Sequence, residues 1–177
     1  MTNIKNILVI FSMVMGSLIL GCGGKEAVKE MKGKEELPEA PAFDLVDLEG
    51  KEVKLSDFSK KKVIILDFWA TWCVPCKMEI PDFIKLYDQY KKKGFEMVGI
   101  SLDQGGPEVV NDFAKEYGIN YTLLMDDGKA QKDYGPIDAI PTTFVLDRNH
   151  RIYKKYRGFR SKEVFEEDIK TLLGIKD

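Results

Sequence analysis

The pattern of apolar and polar positions divides the chain into three unequal stretches. From Ile7 to Leu20 the residues are almost wholly apolar, with Ser and Gly interspersed. Residues 23–40 are rich in Gly, Lys and Glu and hold few apolar side chains. From residue 41 onward the periods of strands and helices set in. Phe43, Leu45, Val46 and Leu48, then Glu49-Gly50, then Val53 and Leu55, predict a β-hairpin that turns at the glycine. Ser56-Asp57-Phe58 reads as a single helical turn. Val63–Trp69, opening with four successive aliphatics, reads as a central strand covered on both faces.

A helix begins near Val74 or Pro75, since proline fits the first turn, where its missing N–H has no partner to lose. It carries Met78, Ile80, Phe83, Ile84, Leu86 and Tyr87 to Tyr90 and ends at Lys93-Gly94. Pro81 falls inside it and is expected to kink it. Phe95–Leu102 is a second buried strand. Pro107 starts a helix that stops at Gly118, with Val109, Val110, Phe113 and Tyr117 at helical spacing. Tyr121–Met125 is a short strand and Lys129–Tyr134 a helical turn. Thr142–Leu146 and Arg151–Arg157 form two strands joined by a surface turn, Asp147-Arg-Asn-His150. Ser161 is expected to cap a last helix with Val164, Phe165, Ile169, Leu172 and Leu173 inward. The order hairpin, βαβαβ, ββα describes an α/β domain with a central mixed sheet. Its right-handed crossovers are expected to place helices on both faces.

Composition adds little beyond exclusions. The 177 residues carry a net charge of −2, and 44% are hydrophobic, enough for one domain with a core. A polyanion binder would show a clustered basic excess. Lys60-Lys61-Lys62 and Lys91-Lys92-Lys93 lack interleaved aromatics and read as solvated turns and helix ends, so no nucleic-acid partner is expected.

The N-terminal stretch carries one charge, Lys5, and is shorter than a comfortable membrane span. It closes on Ile19-Leu20-Gly21-Cys22, followed by Gly23-Gly24. This resembles the lipobox of bacterial lipoproteins, which implies a signal peptide over residues 1–21 and lipidation of Cys22. The protein is then extracytoplasmic and lipid-anchored, on the periplasmic side of an inner or outer membrane or on the outer face of a cytoplasmic one. Gly23 is not the Asp of inner-membrane retention, which points to an outer membrane where the cell has one. Residues 22–40 cannot bury enough surface to offset their ordering entropy and read as a flexible tether. The folded domain is expected over residues 41–177.

The remaining cysteines, Cys73 and Cys76, stand two residues apart where strand becomes helix. A helix N-terminus offers unpaired N–H groups and partial positive charge, so the Cys73 thiolate is favoured there below the free value of about 8.5. That thiolate suits attack on a disulfide, and Cys76, one turn on, suits resolution of the mixed disulfide. Zinc would need a second ligand pair, and His150 is the only histidine. A copper site of the two cysteines and His150 stays open. An inert disulfide hardly needs a strand-to-helix setting flanked by Trp69 and Trp72. Asp67, in the apolar strand, has its pKa raised if buried and would take a proton from Cys76. Glu79, a turn after Cys76, would exchange protons near the pair. Ile140-Pro141 before a strand suits a cis bond, which would leave the Ile140 backbone for an extended substrate.

Phe68-Trp69-Ala70-x-Trp72-Cys73-x-Pro75-Cys76-Lys77, with Asp67 before it and Pro81 after it, resembles the thioredoxin active site. Ile140-Pro141-Thr142 resembles that family's cis-proline loop. The stretch from Ser101 to Asp126 resembles the helix-containing insertion of its membrane-tethered TlpA/ResA branch, as do the hairpin and the exported setting. The resemblance spans roughly residues 41–174. It implies a thioredoxin-like fold, Cys73 as nucleophile, Cys76 as resolving cysteine in a Cys73–Cys76 disulfide, and Pro141 in cis beside them, with Trp72, Pro75 and Ile140 facing the substrate. It also implies a monomeric protein-disulfide reductase without cofactor or metal. Such an enzyme acts on exported disulfide or dithiol proteins, draws on a membrane electron donor, and has cytochrome c maturation as one pathway. Many members of the branch carry Asn where Asp67 stands and an acid in the insertion, for which Glu108 and Glu116 are the candidates. Two other readings compare less well. The peroxiredoxin pattern P-x-x-x-T-x-x-C meets Leu66 and Ala70 here, and copper chaperones use C-x-x-x-C with a distant His.

Overall fold

The computed structural model describes residues 37–176. The apolar leader, Cys22 and the tether up to residue 36 lie outside the described residues. The elements are β1 (Asp44–Asp47), β2 (Glu52–Lys54), β3 (Val63–Trp69), α1 (Val74–Tyr90), β4 (Phe95–Ser101), α2 (Pro107–Tyr117), β5 (Thr122–Met125), α3 (Ala130–Asp133), β6 (Thr142–Leu146), β7 (Ile152–Arg157) and α4 (Lys162–Leu173). They build a seven-stranded sheet in the order β2-β1-β5-β4-β3-β6-β7. β3, β4 and β5 are parallel, while β6 runs antiparallel to β3 and β1 antiparallel to β5. The fold is the expected thioredoxin-like α/β architecture with its hairpin and inserted helix.

All seven residues of β3 are buried, as its unbroken apolar run demands. Its side chains alternate between two cores. Val63 and Ile65 meet Phe83, Leu86 and Tyr90 of α1 and Phe165 and Ile169 of α4. Ile64, Leu66 and Phe68 meet Phe43, Leu55, Phe58 and Tyr134. Helices cover both faces, but unequally. The crossovers from β3 to β4 and from β4 to β5 step in the same direction, so their right-handedness puts α1 and α2 on one face. α4 joins them, with the Phe165 ring 5.1 Å from Phe83. The other face has the short α3 and a 3-10 turn at Leu55–Asp57.

Three expectations need correction. Residues 38–40 are not tether: Ile152 N donates to Pro38 O at 2.8 Å, Ala40 N donates to His150 O at 2.9 Å, and Glu39 pairs with Arg151. Backbone pairing at a sheet edge needs no apolar side chains, so composition does not register it. His150 is not on an open surface turn but is 93% buried, at φ +60°. Ser161 stands at the cap position of α4 but its side chain makes no capping bond; it engages the Glu163 carboxylate instead. α1 runs through Pro81 to Tyr90.

Candidate active site

The C-terminal end of β3 delivers the chain to the N-terminus of α1 through a tight turn, closed by Cys73 N donating to Ala70 O at 3.1 Å. Cys73 is the cap residue of α1, and its sulfur accepts the Cys76 N–H at 3.2 Å. Pro75 lies in the first helical turn, where its missing N–H leaves nothing unpaired. The two cysteines are joined in a disulfide, with Cα atoms 5.3 Å apart. Cys73 keeps 4% of its surface exposed and Cys76 1%, so Cys73 is the less buried residue of the pair.

Around them lies a rim of exposed apolar side chains, Trp72, Val74 and Met78, each more than half exposed. Pro141 leads into β6 on the neighbouring strand, and the Ile140–Pro141 bond is cis. Ile140 packs against the cluster that contains both cysteines, Ile80 and Trp69. Trp72, Pro75, Ile140 and Pro141 therefore gather at one end of the sheet with the disulfide.

Two carboxyl groups lie beneath it. Asp67 shares with Trp69 the face of β3 that packs on α1, and is 4% exposed. Its Oδ1 accepts the Thr143 hydroxyl at 2.9 Å, across the antiparallel register that sets residue 67 opposite 143. Burial pushes the Asp67 pKa well up, the charge of Glu79 adds to the rise, and the Thr143 bond opposes it. Glu79 is 1% exposed. Its Oε1 accepts the Arg160 N–H at 2.6 Å, and its Oε2 has no partner among the described residues. Burial raises its pKa to about 7, against the pull of the Arg160 bond. Tyr121 also senses both acids: burial raises its hydroxyl first, and the Asp67 and Glu79 charges raise it further.

Thr143, Arg160 and Tyr121 are the partners that the sequence reading missed. Thr143 was accessible through strand register alone, as a cross-strand pair on one face. Arg160 contributes through its backbone N–H first and its charge second, and nothing in the local sequence pairs it with a residue 81 positions away. Glu108 and Glu116 are exposed on α2, and the acid beside Asp67 is Glu79. His150 follows the far end of β6: Thr142 pairs with Phe68 near the cysteines, whereas Leu146 pairs with Ile64. Four residues of strand, at about 3.3 Å each, keep His150 from any copper site with Cys73 and Cys76. Among the described residues no group of three or more His, Cys, Asp or Glu is placed to hold a metal. Leu66 and Ala70 are fully buried apolar residues, so no hydroxyl stands where a peroxidase pattern needs one.

The sequence profile described as the AhpC/TSA family matches residues 38–155. The thiol-disulfide oxidoreductase ResA of Bacillus cereus (strain ATCC 10987 / NRS 248) is 39% identical, over 94% of this chain and 92% of that protein. ResA of Bacillus subtilis (strain 168) is 33% identical over 76% of each. A thiol:disulfide interchange protein of the thioredoxin family from Chlorobium tepidum TLS superposes with a TM-score of 0.71 at 32% identity, over 78% of this chain and 98% of that one. StoA from Bacillus subtilis gives a TM-score of 0.61 at 30% identity, over 72% and 96%.

Proposed function

This chain belongs to the AhpC/TSA family, and on that premise we propose a membrane-tethered, extracytoplasmic reductase of protein disulfides working through Cys73 and Cys76. It is a thiol–disulfide oxidoreductase of thioredoxin-like fold. The observation that carries the finer reading is one disulfide at a helix N-terminus above two buried acids.

The reduced protein acts first through the Cys73 thiolate, which the Cys76 N–H and the start of α1 favour. The thiolate attacks one sulfur of the substrate disulfide, and the other sulfur leaves as a thiolate and takes up a proton. Cys76 then gives its proton to Asp67, an acid that burial keeps basic enough to accept it. Its thiolate attacks the Cys73 sulfur and expels the second substrate sulfur, which also takes a proton. Two electrons have passed to the substrate, and the protein is left with the disulfide described here. Glu79, at about 7, exchanges protons with Asp67 near neutrality. The exposed Trp72, with the partly exposed Pro75 and Ile140 beside the buried Pro141, receives the substrate chain.

The setting is part of the proposal. The apolar leader ending at Cys22 supports lipidation and an extracytoplasmic position, with exported proteins as substrates and a membrane donor returning the electrons. Cytochrome c maturation, which consumes reduced cysteine pairs, is one pathway such a reductase serves. Among the described residues no helix is long and apolar enough to cross a membrane. Cys73→Ser is expected to abolish reduction of insulin disulfides, and Cys76→Ser to trap a mixed disulfide through Cys73. Full activity of Cys73→Ser would end this reading. Cys22→Ser is expected to release the protein from the membrane fraction of a bacterial host, and retention there would remove the lipid anchor.

A further inference from the structure

The turn between β3 and α1 is gripped from the side by a carboxylate that has no part in the proton transfers above. Asp103 follows the end of β4. Its Oδ2 accepts the Thr71 N–H at 2.9 Å, and its Oδ1 accepts the Thr71 hydroxyl at 2.6 Å. Thr71 is the second residue of the Ala70–Cys73 turn. The carboxylate is itself fixed. Ser101, fully buried, donates its hydroxyl to Oδ2 at 2.8 Å and accepts the Asp103 N–H at 3.1 Å. Ser101 lies opposite Trp69 in the β3–β4 register, and Leu102 N donates to Trp69 O at 2.8 Å.

We propose that Asp103 is a positioning residue for Cys73, tying the nucleophile's turn to the rigid ends of β3 and β4. The inference rests on Cys73 being the nucleophile. The two ends of the turn, Ala70 and Cys73, are buried, whereas Trp72 between them is 66% exposed, so the Asp103 clamp on Thr71 is the polar hold on its middle. Two donors of one residue captured by one carboxylate fix its orientation as well as its place. That orientation carries through Trp72 to the Cys73 sulfur and decides whether it meets the Cys76 N–H. A turn free to rotate would leave the thiolate without that hydrogen bond for part of the time.

This role has an effect opposite in sign to that of the Asp103 charge. A negative charge near a thiolate raises its pKa, so a purely electrostatic Asp103 would lower the Cys73 pKa on removal. A positioning Asp103 raises it on removal, because the stabilising N–H is lost. Thr71→Val separates the two, for it deletes one donor of the clamp and changes no charge.

The test is the pH dependence of iodoacetamide alkylation of the reduced protein, with the modified cysteine located by peptide mass. Asp103→Ala and Thr71→Val are expected to raise the Cys73 pKa by about one pH unit, a roughly tenfold loss of thiolate below it. Thr71→Ser, which keeps both donors, is expected to restore the wild-type profile. Melting and near-ultraviolet circular dichroism establish that each variant is folded, and the mild Thr71→Val keeps the test open if Asp103→Ala does not fold. A Cys73 pKa that is unchanged or lowered in folded Asp103→Ala and Thr71→Val overturns the proposal. Preferential alkylation of Cys76 in the wild type would overturn the nucleophile assignment itself, and the proposal with it.

Discussion

Replacing Glu79 by Gln is expected to stabilise the protein at neutral and alkaline pH while impairing it as a reductase. The folded state raises this carboxyl from its ordinary 4.5 to about 7, mainly by burial. The folded protein thus binds the proton more tightly than the unfolded chain. Stability is fullest below pH 4.5, falls as pH rises from 4.5 to 7, and is level above 7. At about 1.4 kcal/mol per pH unit the whole loss is about 3 kcal/mol. With Glu79 1% exposed, little solvent screening reduces that figure. Gln removes the charge but can keep the bond from Arg160 N, and its amide group takes the place of an oxygen that has no partner among the described residues. The oxidised variant should therefore exceed the wild type by about 3 kcal/mol at pH 8 and by less than about 1 kcal/mol at pH 5. Guanidinium unfolding at pH 5, 6.5 and 8 measures this directly. A difference that does not grow with pH, or a Gln variant weaker at pH 8, would refute the reasoning.

Asp67→Asn keeps an acceptor for the Thr143 hydroxyl but no longer takes a proton; release of substrate from the mixed disulfide is expected to slow by about 10², and unchanged single-turnover release would remove Asp67 as the base. Burial, with the Lys60 charge beside it, lowers the His150 pKa, against the Ser59 and Asp147 contributions. The neutral form is thus the folded one, and its stabilisation is complete above pH 6.5 and lost as pH falls below it. His150→Asn, which tolerates φ +60°, should gain on the wild type between pH 6.5 and 5, and parallel urea curves would contradict this. Gly99→Ala would set its Cβ 2.8 Å from Leu123 Cδ2 and 2.9 Å from Trp69 Nε1; a cost of about 1–3 kcal/mol is expected, with a changed Trp signal in near-ultraviolet circular dichroism, and an unperturbed spectrum would mean that the backbone yields instead.

The framework could be read because each element states its own period. β3 reads as doubly covered because it has no polar side chain until Asp67, and α1 reads as a helix because Ile80, Phe83, Ile84, Leu86 and Tyr87 recur at three and four residues. Glu79 lies three residues from Cys76 and four from Phe83, inside the apolar stripe, so its burial was written in the helix pattern. What no local pattern could supply was the partner of each acid. Arg160 reaches Glu79 across 81 residues through a backbone N–H, and Thr143 reaches Asp67 across 76 through strand register. Pro38–Ala40 carry no signature for a related reason, since strand pairing through the backbone is indifferent to side-chain type.

Both acids break the rules of the elements that carry them: a carboxyl in an all-buried strand, and a carboxyl in the apolar stripe of a helix. Either alone would be a defect that a neutral isostere removes with a gain in stability. Their coincidence beneath a single disulfide is what argues against defect. Departures from local consistency that converge on one reactive pair are expected where function sets the residue and stability yields. The oxygen of Glu79 left without a partner among the described residues fits this view. A structural acid would be expected to have both oxygens satisfied, whereas an acid that must take up and give back a proton near neutrality is held close to 7 by burial that Arg160 only partly offsets.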